Sequence, residues 1–263
     1  MKVLIIGDVM GSPGRTAMQN YLKKRKKDYD FIIVNGENAA AGFGITPKIA
    51  DEFFLEGVDV ITSGNHIWDK RELYTYLDEN NSILRPYNYP KGVPGFGYVI
   101  KENKLGEKVA VINLQGRVFM PEVDSPFDRV EEIIEEIRQE TKNIIVDFHG
   151  EATSEKLAMG WYLDGRVSLV YGTHTHIQTA DDRILKKGTG FINDVGMTGS
   201  HDSIIGMTIE TVLPKFLTSL PSRFEVATGN VKVNGIELHI DKEGSCKEIN
   251  RINVSIEELD FLF

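Results

Sequence analysis

Five stretches of the chain share one design, an apolar run that meets glycine and side chains able to bind a metal: KVLIIGD (2–8), DFIIVNGEN (30–38), VDVITSGNH (58–66), KNIIVDFHG (142–150) and RVSLVYGTHTH (166–176). Runs this short and this apolar read as strands buried on both faces. In α/β sheets the carboxyl ends of the strands form the ligand crevice. Glycine there lets the backbone turn sharply and come close to a ligand. The pattern therefore brings Asp8, Glu37, Asn38, Asn65, His66, His149, His174 and His176 to one edge of the fold.

Helical patterns alternate with the early runs. GRTAMQNYLKKRKK (14–27) follows the first, and TPKIADEFFLEG (46–57) follows the second with a Thr N-cap, Pro at the first helical position and Gly at the stop. A short helix is expected from Asp69, and another over 153–162. SPFDRVEEIIEEIRQE (125–140) sets Phe127, Val130, Ile133, Ile134 and Ile137 on one helical face. Residues 97–116 read as two strands about a turn, 183–194 as a hairpin, and 224–241 as a hairpin turning at Asn234-Gly235. Residues 197–223 break the pattern, with Pro214 and Pro221 interrupting any long helix, and read as a helical cap inserted into a single domain spanning 1–263. The whole predicts an α/β sandwich of mixed sheets.

Bulk properties narrow the function. A net charge of −9 argues against broad binding to nucleic acid or an anionic membrane, so no extended nucleic-acid groove is expected, while a local phosphate pocket stays open. The one dense basic run, KKRKK (23–27), falls at a helix end, where cations suit the dipole. Cys246 is the only cysteine, which excludes an intrachain disulfide. The apolar start is too short for a signal peptide and no stretch is long enough to span a membrane, so a cytoplasmic protein is expected.

His174 and His176 stand two apart, and strand-like spacing would aim both imidazoles at one point. With Asp8, Glu37, Asn38, Asn65 and His149 they make more candidate ligands than one catalytic ion with an open position needs. Two divalent ions close together require an anionic bridge, and Glu37 offers two oxygens for it. Two carboxylates and a hydroxide would leave net positive charge to attract a phosphate.

These residues carry a resemblance. GDVMG (7–11), NGENAA (35–40), GNHIWD (64–69), FHGE (148–151) and GTHTH (172–176) follow the order of motifs in the calcineurin-like metallophosphoesterase superfamily. Met10 stands where that superfamily usually has a histidine ligand, and Glu37 where it has the bridging aspartate. With GNHIWDK and DVGMTG (194–199), these variants resemble the narrower bacterial YmdB-like family of 2′,3′-cyclic-nucleotide 2′-phosphodiesterases. The resemblance implies a four-layer αββα fold and a centre of two divalent ions, iron or manganese first, with zinc, cobalt or magnesium as alternatives. It implies Asp8, Glu37, Asn38 and His176 on one ion, with Asn38 replacing the ligand lost at Met10, and Glu37, Asn65, His149 and His174 on the other. The resemblance gives His66 the role of a catalytic group at the leaving oxygen, the alternative being a histidine that only hydrogen-bonds a carboxylate, and Asp69 reads either as orienting it or as the cap of the next helix.

The expected activity is hydrolysis of a small phosphodiester, a 2′,3′-cyclic nucleotide, to the 3′-phosphate by a hydroxide bridging the metals. A phosphomonoesterase or protein phosphatase would use the same centre, and a metal-binding regulatory protein with little turnover is the rival from another class. Residues that would bind the rest of the substrate are not identified by pattern. Arg15 reads either as a phosphate contact near a helix start or as helix-surface solvation, His201 as the substrate mouth or plain surface, and His239 as structural.

Overall fold

The computed structural model describes residues 1–261. In β1 (Lys2–Ile6), Val3 and Ile5 face one way and Leu4 and Ile6 the other, and all four are fully buried. A strand apolar on both faces needs cover on both, and the chain supplies it in four layers. One layer is a seven-stranded mixed sheet. There β1 pairs in parallel with β3 (Phe31–Asn35) and antiparallel with β12 (Val231–Ile240). Beyond β3 lies β4 (Val60–Thr62), and β2 (Asp8–Val9), β11 (Met197–Ser200) and β13 (Cys246–Ser255) complete the sheet. The second sheet has six strands in the order β5 (Tyr98–Glu102), β6 (Lys108–Gln115), β7 (Ile144–His149), β8 (Leu169–Thr173), β10 (Gly190–Ile192), β9 (Arg183–Ile184). Its inner strands β6, β7, β8 and β10 run parallel.

The sheets pack face to face through Val3, Ile5, Phe31 and Ile33 on one side and Val109, Val111, Ile145 and Leu169 on the other. On the outer face of the first sheet, Leu4, Ile6, Ile32 and Val34 receive α1 (Gly11–Arg25), α2 (Pro47–Leu55) and α3 (Leu73–Glu79). On the outer face of the second, Ala110, Ile112, Ile144 and Val146 receive α4 (Pro126–Glu140) and α5 (Thr153–Tyr162). The result is the expected αββα sandwich. Local signals start two of its helices: Thr46 accepts from the Ile49 N–H ahead of Pro47, and Ser125 from the Asp128 N–H ahead of Pro126.

Three local readings change. Asn234-Gly235 is not a turn but lies inside β12, paired with β1, and the hairpin to β13 turns instead over 241–245. Gly235 is there for close approach: a Cβ would sit 2.1 Å from the Ile5 carbonyl oxygen. The segment 197–223 is not helical throughout. It opens with β11, which joins β2 to β12, and its only α-helix is α6 (Ile209–Thr218). The strand passes tight under α1, and Gly14 leaves it room: a Cβ there would come within 2.3 Å of the Thr198 carbonyl oxygen. Finally, a 3₁₀ turn over Asn65–Trp68 replaces a helix start at Asp69, and α3 begins at Leu73.

Candidate metal centre

The ends of β1, β3, β4, β7 and β8 deliver the polar residues to one crevice. Asp8, Glu37, Asn38, His149 and His176 are buried there, while Asn65, His66 and His174 keep some exposure. Ligand atoms of Glu37, His149 and His174 lie within 4.8 Å of one another. His149 Nε2 is 3.0 Å from Glu37 Oε2 and 3.0 Å from His174 Nδ1. His176 Nε2 is 3.2 Å from Asn38 Oδ1. Asp8 accepts weakly, at 3.4 Å, from the His174 N–H.

The outer partners of the histidines fix their tautomers. Thr173 Oγ1 donates to Asp147 Oδ1 at 2.7 Å, so it accepts from His149 Nδ1 at 2.9 Å. His176 Nδ1 donates to the Ile205 carbonyl at 2.9 Å. His174 Nε2 faces Glu151 Oε2 at 3.2 Å. In each neutral ring the proton therefore points outward and a lone pair points inward. Burial holds all three rings neutral by lowering their pKa, that of His174 to about 2. Where Glu37 is ionised, above about pH 7, the inward nitrogens thus meet one another and the acceptors Glu37 Oε2 and Asn38 Oδ1 with no proton between them. Lone pairs 3.0–3.2 Å apart repel, and a cation among them turns the repulsion into coordination. Asp8 Oδ1, Glu37 Oε2 and Asn65 Oδ1 are buried with no hydrogen-bond partner, an expensive state for oxygens unless an ion satisfies them. The donor set of imidazole, carboxylate and amide oxygen suits first-row divalent metals.

The carboxylates carry the cost of this concentration of charge. Burial first, then Asp194, Glu37 and Asp147, push the Asp8 pKa well up, and burial raises Glu37 to about 7. Gly64 keeps the space open, since a Cβ there would fall 1.9 Å from Glu37 Oε2 and 2.2 Å from His149 Nε2.

The pair of histidines is not set by strand alternation. β8 stops at Thr173, and His174 and His176 adopt left-handed φ values of 98° and 66°. The rings therefore go to different partners, His174 to His149 and His176 to Asn38. Such backbone persists only when its surroundings hold it. Here Asp194 accepts from the Thr175 N–H at 3.0 Å and from Thr175 Oγ1 at 2.7 Å, and the buried Lys156 ammonium is 2.8 Å from the same oxygen.

Asp194, Thr173 and Glu151 lie inside the motifs DVGMTG, GTHTH and FHGE but carry no role that the pattern reveals, and Lys156 and Asp147 lie outside them. Asp147 is visible as a charge inside the apolar run IIVDFH; the roles of the others depend on the fold. Asp147 is enclosed by Thr62, Asn35 and Thr173 as donors, and burial still raises it to about 7.

A cavity of about 490 Å³ opens over the centre. Glu37, Asn38, His66, His174 and His176 form its polar floor, and Met10, Phe43, Met207, Phe216 and Phe224 are among its apolar walls. Met10 packs with Met197, Met207 and Val212 rather than facing a polar partner. His66 gives Nδ1–H to Asp69 Oδ2 at 2.8 Å and meets the Phe43 ring edge-on at 5.1 Å, and among the described residues its Nε2 makes no hydrogen bond. His201 is half-buried against the Met197 carbonyl and is not among the cavity's lining residues. Arg15 binds the Ala39 carbonyl, and His239 lies exposed on β12.

Residues 4–252 match the family model described as YmdB-like protein. The chain is 50% identical to the 2′,3′-cyclic-nucleotide 2′-phosphodiesterase of Bacillus subtilis (strain 168), over 99% of this chain and 100% of that protein. Among solved structures, a hypothetical protein of Thermus thermophilus matches with a TM-score of 0.92 and 42% identity, covering 97% of this chain and 99% of that one. A novel phosphatase of Mycoplasma pneumoniae matches with a TM-score of 0.90 and 33% identity, covering 97% and 93%.

Proposed function

Since the chain belongs to the YmdB-like family of metallophosphoesterases, we propose that it is a metal-dependent phosphodiesterase that hydrolyses 2′,3′-cyclic nucleotides to 3′-phosphates. The observation that carries the metal dependence is the inward convergence of unprotonated imidazole nitrogens on buried, unpartnered carboxylate and amide oxygens. Asp8, Glu37, Asn38 and His176 would hold one divalent ion, and Glu37, Asn65, His149 and His174 a second, with Glu37 as the shared bridge. Iron or manganese suits this mixed nitrogen and oxygen set. Two such ions would lower the pKa of water at the site and neutralise the phosphoryl oxygens.

The chain's own residues do the rest. Asp69 holds the His66 ring through Nδ1, so Nε2 faces the cavity, where it can protonate the departing 2′ oxygen. The wall formed by Phe43, Met207 and Phe224 offers an apolar surface for the nucleoside. That wall favours a nucleotide diester over a protein phosphatase substrate, which would need an open surface. His66 beside an open cavity also argues against a regulatory protein with little turnover. A cytoplasmic location agrees with this reading; among the described residues no helix is long and apolar enough to cross a membrane.

The test is hydrolysis of 2′,3′-cyclic AMP by purified protein with Mn²⁺, with the two monophosphates separated by chromatography. Predominant 3′-AMP is expected. Predominant 2′-AMP would reverse the orientation of the substrate, and robust monoester cleavage without diester cleavage would favour the phosphatase.

A further inference from the structure

Outside the Phe224 wall lies a second depression of about 690 Å³ that borders the metal cavity through Phe224 itself. Ser12, Arg15, Lys70, Arg223 and Glu225 are among its lining residues. Three cations and one carboxylate face it, a local positive balance on a chain whose net charge is −9. The cations are tied to the centre. Arg15 is anchored on the carbonyl of Ala39, the residue after Asn38, and Lys70 follows Asp69, which holds His66. Among the described residues, no hydrogen bond or ion pair occupies the side chains of Lys70 or Arg223. On the cavity side, Lys215 Nζ sits 5.0 Å from the Phe224 ring centroid, so cations flank an aromatic wall. A cyclic mononucleotide carries one phosphate, which the metal centre takes. The second group of cations has no counterpart in such a ligand.

We propose that this depression binds the phosphate preceding the terminal nucleotide of an RNA strand, so that the enzyme acts on oligoribonucleotides ending in a 2′,3′-cyclic phosphate. This rests on the phosphodiesterase reading above. The terminal nucleotide occupies the metal cavity, and the next phosphate toward the 5′ end meets Arg15, Lys70 and Arg223. Aromatic surface beside a short basic track is how single strands are held without sequence preference. The site is short, so it adds few phosphate contacts on a chain whose net charge is −9. The chemistry also places the reaction in a sequence. Attack of a 2′-hydroxyl on the adjacent phosphodiester cleaves RNA into a 5′-hydroxyl fragment and a fragment with a 2′,3′-cyclic phosphate. Here water then adds to that phosphorus, the P–O2′ bond breaks, and the 2′ oxygen takes a proton to leave a 3′-phosphate.

The test compares kcat/KM on 2′,3′-cyclic AMP and on a pentaribonucleotide ending in adenosine 2′,3′-cyclic phosphate, for the wild type and for Lys70→Ala/Arg223→Ala. The wild type should prefer the oligonucleotide by about tenfold or more at 50 mM salt. The variant should lose that preference and keep its kcat/KM on the mononucleotide within about twofold. Independently, anisotropy of a 5′-fluorescein pentaribonucleotide 3′-phosphate reads binding alone. With two phosphate contacts its affinity should fall roughly sevenfold between 50 and 200 mM salt, and the variant should bind more weakly with a flatter salt dependence. Equal wild-type kcat/KM on both substrates, or equal losses on both in the variant, overturns the proposal. Unchanged anisotropy in the variant overturns it as well. Failure to hydrolyse any cyclic substrate, with the anisotropy differences intact, would instead sink the phosphodiesterase reading and leave the RNA-binding depression standing.

Discussion

Thr173 touches no proposed metal, yet replacing it should weaken metal binding by a calculable amount. Its hydroxyl donates to Asp147 and accepts from His149 Nδ1, which keeps the lone pair of His149 Nε2 aimed inward. Thr173→Val removes the acceptor. Keeping the same tautomer then leaves a buried N–H unpaired, at about 1–3 kcal/mol. The alternative is to move the proton to Nε2, where Glu37 Oε2 waits at 3.0 Å as an acceptor. A hydrogen bond to that carboxylate stabilises the metal-free form by about 1.5–3 kcal/mol and must be broken before an ion can enter. The first cost falls on the metal-free and metal-bound forms alike and leaves the affinity unchanged; the second route lowers it by roughly 10–100-fold, in line with losses found when ligand-orienting groups are removed. Competition with a chromogenic chelator measures the Mn²⁺ affinity, and ¹⁵N NMR of the metal-free protein reads the His149 tautomer directly. Thr173→Ser keeps a hydroxyl and should restore both. A Thr173→Val affinity within about twofold of the wild type would refute the tautomer argument. So would a Thr173→Ser variant that loses as much as Thr173→Val.

Other expectations follow from the same geometry. Glu37→Gln removes the charge from the proposed bridge and should sharply reduce metal content by elemental analysis, from two ions per chain in the loaded wild type; one ion in both proteins would contradict a dinuclear centre. Burial raises Glu37 to about 7, so protons compete with the metal below that pH. Asp8, whose pKa burial also pushes well up, must lose a proton as well, so affinity should fall by at least about tenfold per pH unit as the pH drops below about 7, chelator competition showing the slope. Burial lowers the pKa values of His149, His174 and His176, so these rings compete with the metal less than free imidazoles would. A flat profile between pH 5.5 and 7 would argue against Glu37 as a ligand. His66→Ala should keep both metals and lose roughly 10²–10⁴-fold on cyclic nucleotides, but less on an aryl diester with a good leaving group. Equal losses on both would count against proton donation.

The architecture and the set of metal-capable groups are legible in the residues alone. Strands apolar on both faces, such as VLII and IIVDF, can be buried only between layers, and the alternating α2 and α4 patterns supply the outer ones. Glycine beside polar residues at successive strand ends was enough to gather Asp8, Glu37, Asn65 and His149, because strand direction alone brings those ends to one edge. What sequence could not decide depends on contacts between distant segments. Asn234-Gly235 has local turn chemistry, but β1 lies so close that only glycine fits, and the chain runs straight through. His174 and His176 look like a strand pair, but the Asp194–Lys156 ion pair holds Thr175 in place and their left-handed backbone sends the rings to separate partners. The direction of each imidazole lone pair is likewise set by Thr173, Glu151 and Ile205, which reach the site from different elements and loops. A ligand's identity is local chemistry that one residue carries. Its tautomer and aim are set by neighbours that only the folded chain brings within hydrogen-bonding distance.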